Sequence, residues 1–204
     1  MIRNDARRRR HDHDSDRPMP DRLRRRFLAG TASFAAATLA GCLGGDDDSE
    51  PVSADPIALT DGQECDVCGM LIADHYGPAG QLYYADGKPD DRDGPARFDS
   101  IAELLVYHRE RRSRGWELRA AFVTDYSSVD YELLEREGTT YISTHANAAA
   151  FADATTLEFV VDSGIEGAMG EDIVPFSDRE DAEGFVDEHG GNLRTWDELR
   201  DADA

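Results

Sequence analysis

Lysine is almost missing from this chain: Lys88 is the one lysine in 204 residues, and 22 basic residues face 43 acidic ones. That balance argues against nucleic-acid binding, which needs a basic patch. Cysteine is scarce too, with Cys42, Cys65 and Cys68 the three present. A full zinc ribbon takes four ligands, commonly from two Cys-x-x-Cys pairs, so the thiols here are too few for one. Methionine occurs four times, at positions 1, 19, 70 and 169. The mildly apolar run Leu28 to Gly41 is 14 residues long, short of the roughly 20 a membrane-spanning helix needs. There is no Ser-His-Asp arrangement and no phosphate-binding glycine loop. No carboxylate pair stands out by its spacing from so acidic a background.

The N-terminus reads as an address. Arg24-Arg25-Arg26-Phe27-Leu28 fits the twin-arginine export pattern, and Leu28 to Gly41 fits the apolar region of a signal peptide. Leu39-Ala40-Gly41-Cys42 resembles a lipoprotein processing box, in which the cysteine becomes the lipidated mature N-terminus. The alternative is ordinary cleavage with Cys42 left as a free thiol. The expectation is an exported protein, lipid-anchored at the cell membrane and facing outside, with a signal peptide over residues 1–41. Ten of the 22 basic and five of the 43 acidic residues precede Cys42, which leaves 12 basic against 38 acidic and a formal net charge of −26. Such self-repulsion is relieved by salt, and the acid is spread along the chain, so a halophile's surface explains it better than a basic partner does. Residues 42–58 include Gly45-Asp46-Asp47-Asp48-Ser49-Glu50 and read as an acidic disordered linker. Residues 59–204 then form one domain.

Within that domain the pattern is mixed. Gln81 to Ala85 and Ala96 to Phe98 read as short strands around a polar loop, Asp86 to Pro95. Ser100 and Glu103 form a capping box for a helix with Ile101, Leu104, Leu105 and His108 at helical spacing, ended by Gly115. Trp116 to Thr124 reads as a strand in which Leu118, Ala120 and Phe122 alternate with Glu117, Arg119 and Ala121. Tyr126 to Tyr131 reads as irregular, and Thr139 to Thr144 and Leu157 to Val161 as strands. A second capping box, Ser177 to Glu180, opens a helix with Ala182, Phe185, Val186 and His189 on one face, stopped by Gly190-Gly191. A third, Thr195 to Glu198, opens a last short turn. The fold class expected is α+β, with two strand-strand-helix units packed together.

Cys65-Asp66-Val67-Cys68-Gly69-Met70 puts three sulfurs into six residues. Thiolate and thioether donors select soft metals, above all Cu(I). A lone Cys-x-x-Cys is also compatible with a redox pair or a structural disulfide, although the loop such a disulfide closes is too short to add much stability. Met70 favours the metal, because Gly69 lets the backbone turn so that thiolate and thioether point at one centre. Met169 lies in the glycine-flanked stretch Gly164 to Gly170, a poor place for a core methionine. His75 follows Met70 closely enough to complete a copper site, and His145 ends a strand. His108 and His189 share the apolar faces of their helices and read as packing residues.

The chain resembles the NosL family, lipoproteins that serve as accessory factors for nitrous oxide reductase. The resemblance rests on Cys65 to Met70, on Gly167-Ala168-Met169-Gly170-Glu171-Asp172-Ile173-Val174-Pro175-Phe176, and on Asp181-Ala182 through Phe185 to His189-Gly190-Gly191. It implies one Cu(I) per chain and delivery of copper for the reductase's multicopper sulfide centre. The implied partners are the reductase or its maturation machinery, and the implied fold is similar to part of the organomercurial lyase. It implicates Cys68, Met70 and Met169 as ligands, with Cys65 also plausible, and implies no catalysis. The acidic insert Asp86 to Asp93 departs from the family's pattern. An exported thiol-disulfide oxidoreductase using Cys65 and Cys68 is the alternative from another class.

Overall fold

A computed structural model describes residues 54–90 and 94–202, all within one unit, Asp48–Ala204. The signal peptide, Cys42 and residues 42–53 of the linker lie outside the described residues, as do 91–93 of the acidic insert. In chain order come β1 (Gly80–Tyr84), β2 (Ala96–Phe98), α1 (Ile101–Ser113) and β3 (Leu118–Thr124). A hairpin of β4 (Leu133–Arg136) and β5 (Thr139–Ile142) follows, then β6 (Phe151–Asp153). The remainder is β7 (Glu158–Val161), β8 (Ile165–Gly167), β9 (Gly170–Glu171), β10 (Val174–Phe176), α2 (Arg179–His189), β11 (Asn192–Thr195) and α3 (Trp196–Asp201).

The three sheets have the orders β2-β1-β3-β6, β10-β7-β11 and β4-β5-β8-β9. β1 lies between β2 and β3, antiparallel to both, with Gln81 opposite Arg97 on one side and Phe122 on the other. β7 lies between β10 and β11 in the same way, with Phe159 opposite Pro175 and Arg194. The path β1-β2-α1-β3 therefore recurs as β7-β10-α2-β11, with equal strand order and direction. The mixed α+β class read from the sequence is the class observed, and each strand-strand-helix unit gains one further strand. Among the described residues no helix is long and apolar enough to cross a membrane.

Two cores result, and β7 serves both. Neighbouring strand residues point to opposite faces, so Phe159 joins the core of Leu82, Phe98, Leu104 and Trp196, while Val160 joins that of Tyr126, Ile142, Phe176 and Phe185. Both are fully buried, each worth about 1.5–3 kcal/mol in transfer free energy. The chain is already tied down before residue 59. The backbone N–H and C=O of Ile57 bond the side-chain amide of Gln81 at 3.0 and 2.7 Å, and the Tyr83 hydroxyl donates to the Asp55 carbonyl.

Several local expectations shift. In β3 the fully covered face carries Ala121 and Val123, not the Leu118, Ala120 and Phe122 set; Phe122 is half-buried against the ring of Tyr83. Apolar residues on both faces leave the alternation without a phase. The α2 cap is Asp178, which accepts from the Glu180 N–H, one residue later than Ser177. β4 was not expected, because Leu133-Leu134-Glu135-Arg136 alternates too little to read as a strand. The Thr195–Glu198 box is complete. Ser100 caps α1 by accepting from the Glu103 N–H, but the Glu103 carboxylate turns elsewhere, as described next.

Candidate metal centre

Cys65 and Cys68 sit at the tip of a short hairpin. Glu64 and Leu71 form an isolated antiparallel bridge, and the Cys65 N–H donates to the Met70 carbonyl at 2.8 Å. Gly69, at φ 74°, turns the chain where a side chain would be strained, and its N–H returns to the Cys65 carbonyl at 3.0 Å. Met70 therefore stands opposite Cys65 across the hairpin, where paired side chains leave on one face. The hairpin is pinned to β2 from both directions: Asp66 N–H to the Arg97 carbonyl at 2.8 Å, and Arg97 N–H to the Asp66 carboxylate at 2.7 Å.

This pinning brings the cysteines to the start of α1. The Cys68 thiol donates to Oδ2 of Asp99 at 3.2 Å, and the Cys65 thiol to Oε2 of Glu103 at 3.4 Å. One donor atom from each of these four residues lies within 4.8 Å of all the others. Cys65 and Asp99 are buried and Cys68 and Glu103 half-buried, and both thiols are free. Burial pushes both thiol pKa values up, Cys65 the more strongly. The N–H groups of Cys68, Asp99 and Val67 work against that shift at Cys65, and the N–H of Met70 does so at Cys68. Converging backbone N–H groups form a concavity suited to anionic sulfur. Burial also raises the Glu103 pKa.

Met169 occupies the two-residue tip, Ala168-Met169, of the β8–β9 hairpin and is 51% exposed. The hairpin is fastened to the first turn of α1, the helix that bears Glu103 and that Asp99 and its cap Ser100 lead into. Buried Asp172, just beyond β9, accepts through Oδ1 from the N–H groups of Ile101 and Ala102 at 3.1 and 3.2 Å. It also lies against the loop that follows the cysteine hairpin: a Cβ on Gly77 would meet the Gly167 Cα at 2.6 Å. The two methionine-bearing loops thus share neighbours although they lie far apart in sequence.

His75 falls outside the four-residue group. It lines a cleft of about 690 Å³ with Tyr76, Arg136, Tyr141, Gly167 and Ala168. His108 is buried, its ring nitrogen 3.2 Å from the Tyr84 hydroxyl; burial lowers its pKa, which suits a packing residue. His189 rests on the Phe185 ring with centroids 4.6 Å apart, and His145 bonds Ser143 Oγ at 3.0 Å. The sequence reading missed Asp99 and Glu103. Their i, i+4 spacing at a helix start was the available signal, but helix starts favour acids anyway, and the 38 acids from Cys42 onward hide the pair.

Comparison with known proteins identifies the family. The curated copper-binding lipoprotein NosL of Stutzerimonas stutzeri is 30% identical over 179 residues, 87% of this chain and 83% of that one. The crystal structure of the copper chaperone NosL from Shewanella denitrificans superposes with a TM-score of 0.53 at 30% identity, covering 71% of this chain and 95% of that one. Both relatives are named for binding or handling copper, not for catalysis. The NosL family profile matches residues 56–204, which takes in the cysteine hairpin, both repeated units and the Met169 turn, and the chain belongs to the NosL family.

Proposed function

We propose that this chain is a copper metallochaperone. It would take up one Cu(I) outside the membrane, held there by lipidated Cys42, and pass it on for assembly of the nitrous oxide reductase copper centre. The observation that carries the reading is the cysteine hairpin, with Met70 opposite Cys65 and the Met169 turn fastened to the helix beside it. Thiolate with thioether is a soft donor set that suits Cu(I), and an exposed thioether is a ligand that a recipient protein can reach and replace. The names of the two relatives support copper, and the lipoprotein name of one supports the anchor. A likeness to part of the organomercurial lyase would lend no activity, since fold does not carry function. Met70 and Met169 weigh against the oxidoreductase alternative, since a thiol–disulfide pair has no use for thioether donors.

The test is competition of the reduced protein against a Cu(I) chelator. Cys68→Ser should nearly abolish binding, because it removes the donor whose deprotonation admits the metal. Met70→Ala and Met169→Ala should weaken it less, since a thioether is neutral, and His75→Ala least of all. If both methionine variants bind like wild type and Cys65 and Cys68 cycle between thiol and disulfide with substrate, the chaperone reading fails. The anchor has its own check: Cys42→Ser should release the protein from the membrane fraction.

A further inference from the structure

Copper leaves two groups of the cysteine cluster unexplained. Carboxylate oxygens are hard donors and give Cu(I) little, yet Asp99 and Glu103 are aimed at the sulfurs. Asp99 is only 2% exposed. Its Oδ2 accepts from Cys68, while its Oδ1 is buried without a hydrogen-bond partner among the described residues. An orphaned buried carboxylate oxygen is costly to the fold and calls for a compensating ligand.

We propose that Cys65, Cys68, Asp99 and Glu103 form a four-donor site for a borderline divalent cation of the zinc class. Zinc bonds thiolate at about 2.3 Å and carboxylate oxygen at about 2.0–2.2 Å in tetrahedral structural sites, so a sulfur–oxygen edge of such a tetrahedron measures roughly 3.5 Å. The two sulfur–oxygen separations here are 3.2 and 3.4 Å, and all four donor atoms lie within 4.8 Å of one another. Two of the six edges of such a tetrahedron are thus in place, and the other four measure at most 4.8 Å. Binding exchanges two thiol protons for one divalent ion and releases both protons to solvent; no electron is transferred. This site shares its cysteines with the copper reading and uses neither methionine. Metal identity would then be decided by which neighbours complete the pair, thioethers for Cu(I) or carboxylates for the divalent ion, and the two metals exclude each other.

The experiment uses the purified full chain with reduced thiols, in about 1 M KCl so that surface acids are screened. It is titrated with Zn(II) against a chromophoric chelator and separately with Co(II). One Zn(II) per chain is expected, along with a Co(II) spectrum showing thiolate charge-transfer and tetrahedral ligand-field bands. Asp99→Asn and Glu103→Gln should each weaken Zn(II) binding by more than about a hundredfold, beyond the roughly 10–100-fold loss of an outer partner of a metal ligand, and weaken Cu(I) binding by no more than that outer-partner loss. Met70→Ala should leave Zn(II) affinity unchanged. The proposal is overturned by an octahedral Co(II) spectrum, by Zn(II) binding no tighter than in the Cys65→Ser/Cys68→Ser variant, or by carboxylate variants that match wild type. If Asp99→Asn fails to fold, Glu103→Gln, on the half-buried side of α1, decides by the same criteria. Failure of Cu(I) binding with these zinc results intact would remove the copper reading and leave this one standing.

Discussion

The two repeated units begin their helices alike and end up chemically opposite. In β1-β2-α1-β3 the acids at the helix start, Asp99 and Glu103, are buried or half-buried and take thiol protons as hydrogen bonds. In β7-β10-α2-β11 the corresponding acids, Asp178, Glu180 and Asp181, are exposed, and Asp178 simply caps the helix. Acid favours any helix start through the dipole and the free N–H groups, so the residue types are no guide to which start holds a site. What differs is the cover: the cysteine hairpin, pinned to β2, closes over α1. The insert between the first two strands differs as well. In the second unit it is the β8–β9 hairpin, which reaches across through Asp172 to bond the first unit's helix.

The largest effect should come from breaking either of the two cores that share β7. Phe98→Ala and Phe176→Ala each remove a side chain at most 1% exposed, at a cost of about 3–5 kcal/mol. Because β7 packs into both cores, urea unfolding should stay a single transition for either variant. A Phe176→Ala protein that unfolds in two steps and keeps its metal through the first would show that the units are independent.

Asp172 comes next, since it bonds the second unit's insert to the first unit's helix. Burial raises its pKa to about 7, above the roughly 3.9 of an unfolded aspartate. The folded state therefore binds the extra proton between those values, and the stability Asp172 contributes is full below about pH 4 and lost as pH rises to about 7. The slope reaches at most about 1.4 kcal/mol per pH unit. Asp172→Asn should lose that slope relative to wild type when both are denatured across the window. Parallel curves for the two proteins would mean that Asp172 stays charged in the fold.

A smaller effect sharpens the contrast of the helix starts directly. Asp178→Ala should lower stability by about 1 kcal/mol through the lost cap and leave Cu(I) and Zn(II) affinities alone. A change in metal affinity would mean the two starts are not chemically separate. Smallest per residue is the acidic surface, where a single change such as Glu183→Gln should stay within about 0.5 kcal/mol. The melting temperature of the whole chain should nonetheless climb between low salt and about 2 M KCl, as repulsion is screened; a flat profile would remove the halophile reading.

What the sequence determined by itself was whatever depends on neighbours along the chain. Ser100, Thr195 and Gly190 set helix ends because caps are local hydrogen bonds. Leu157 to Val161 read as a strand from its β-branched and aromatic content, close to the Glu158–Val161 observed. The cysteines and methionines stood out as candidate metal donors because sulfur is rare in this chain. Only the tertiary structure decided the phase of β3, because apolar residues lie on both its faces and alternation then does not say which one is covered. It alone decided which two of 38 acids face the thiols, since Asp99 and Glu103 stand more than thirty residues from Cys65 and Cys68. It also decided that Asp172 ties the Met169 hairpin to α1 from seventy residues away. Contacts at such separation follow from how strands pair and sheets pack, and no local pattern encodes them.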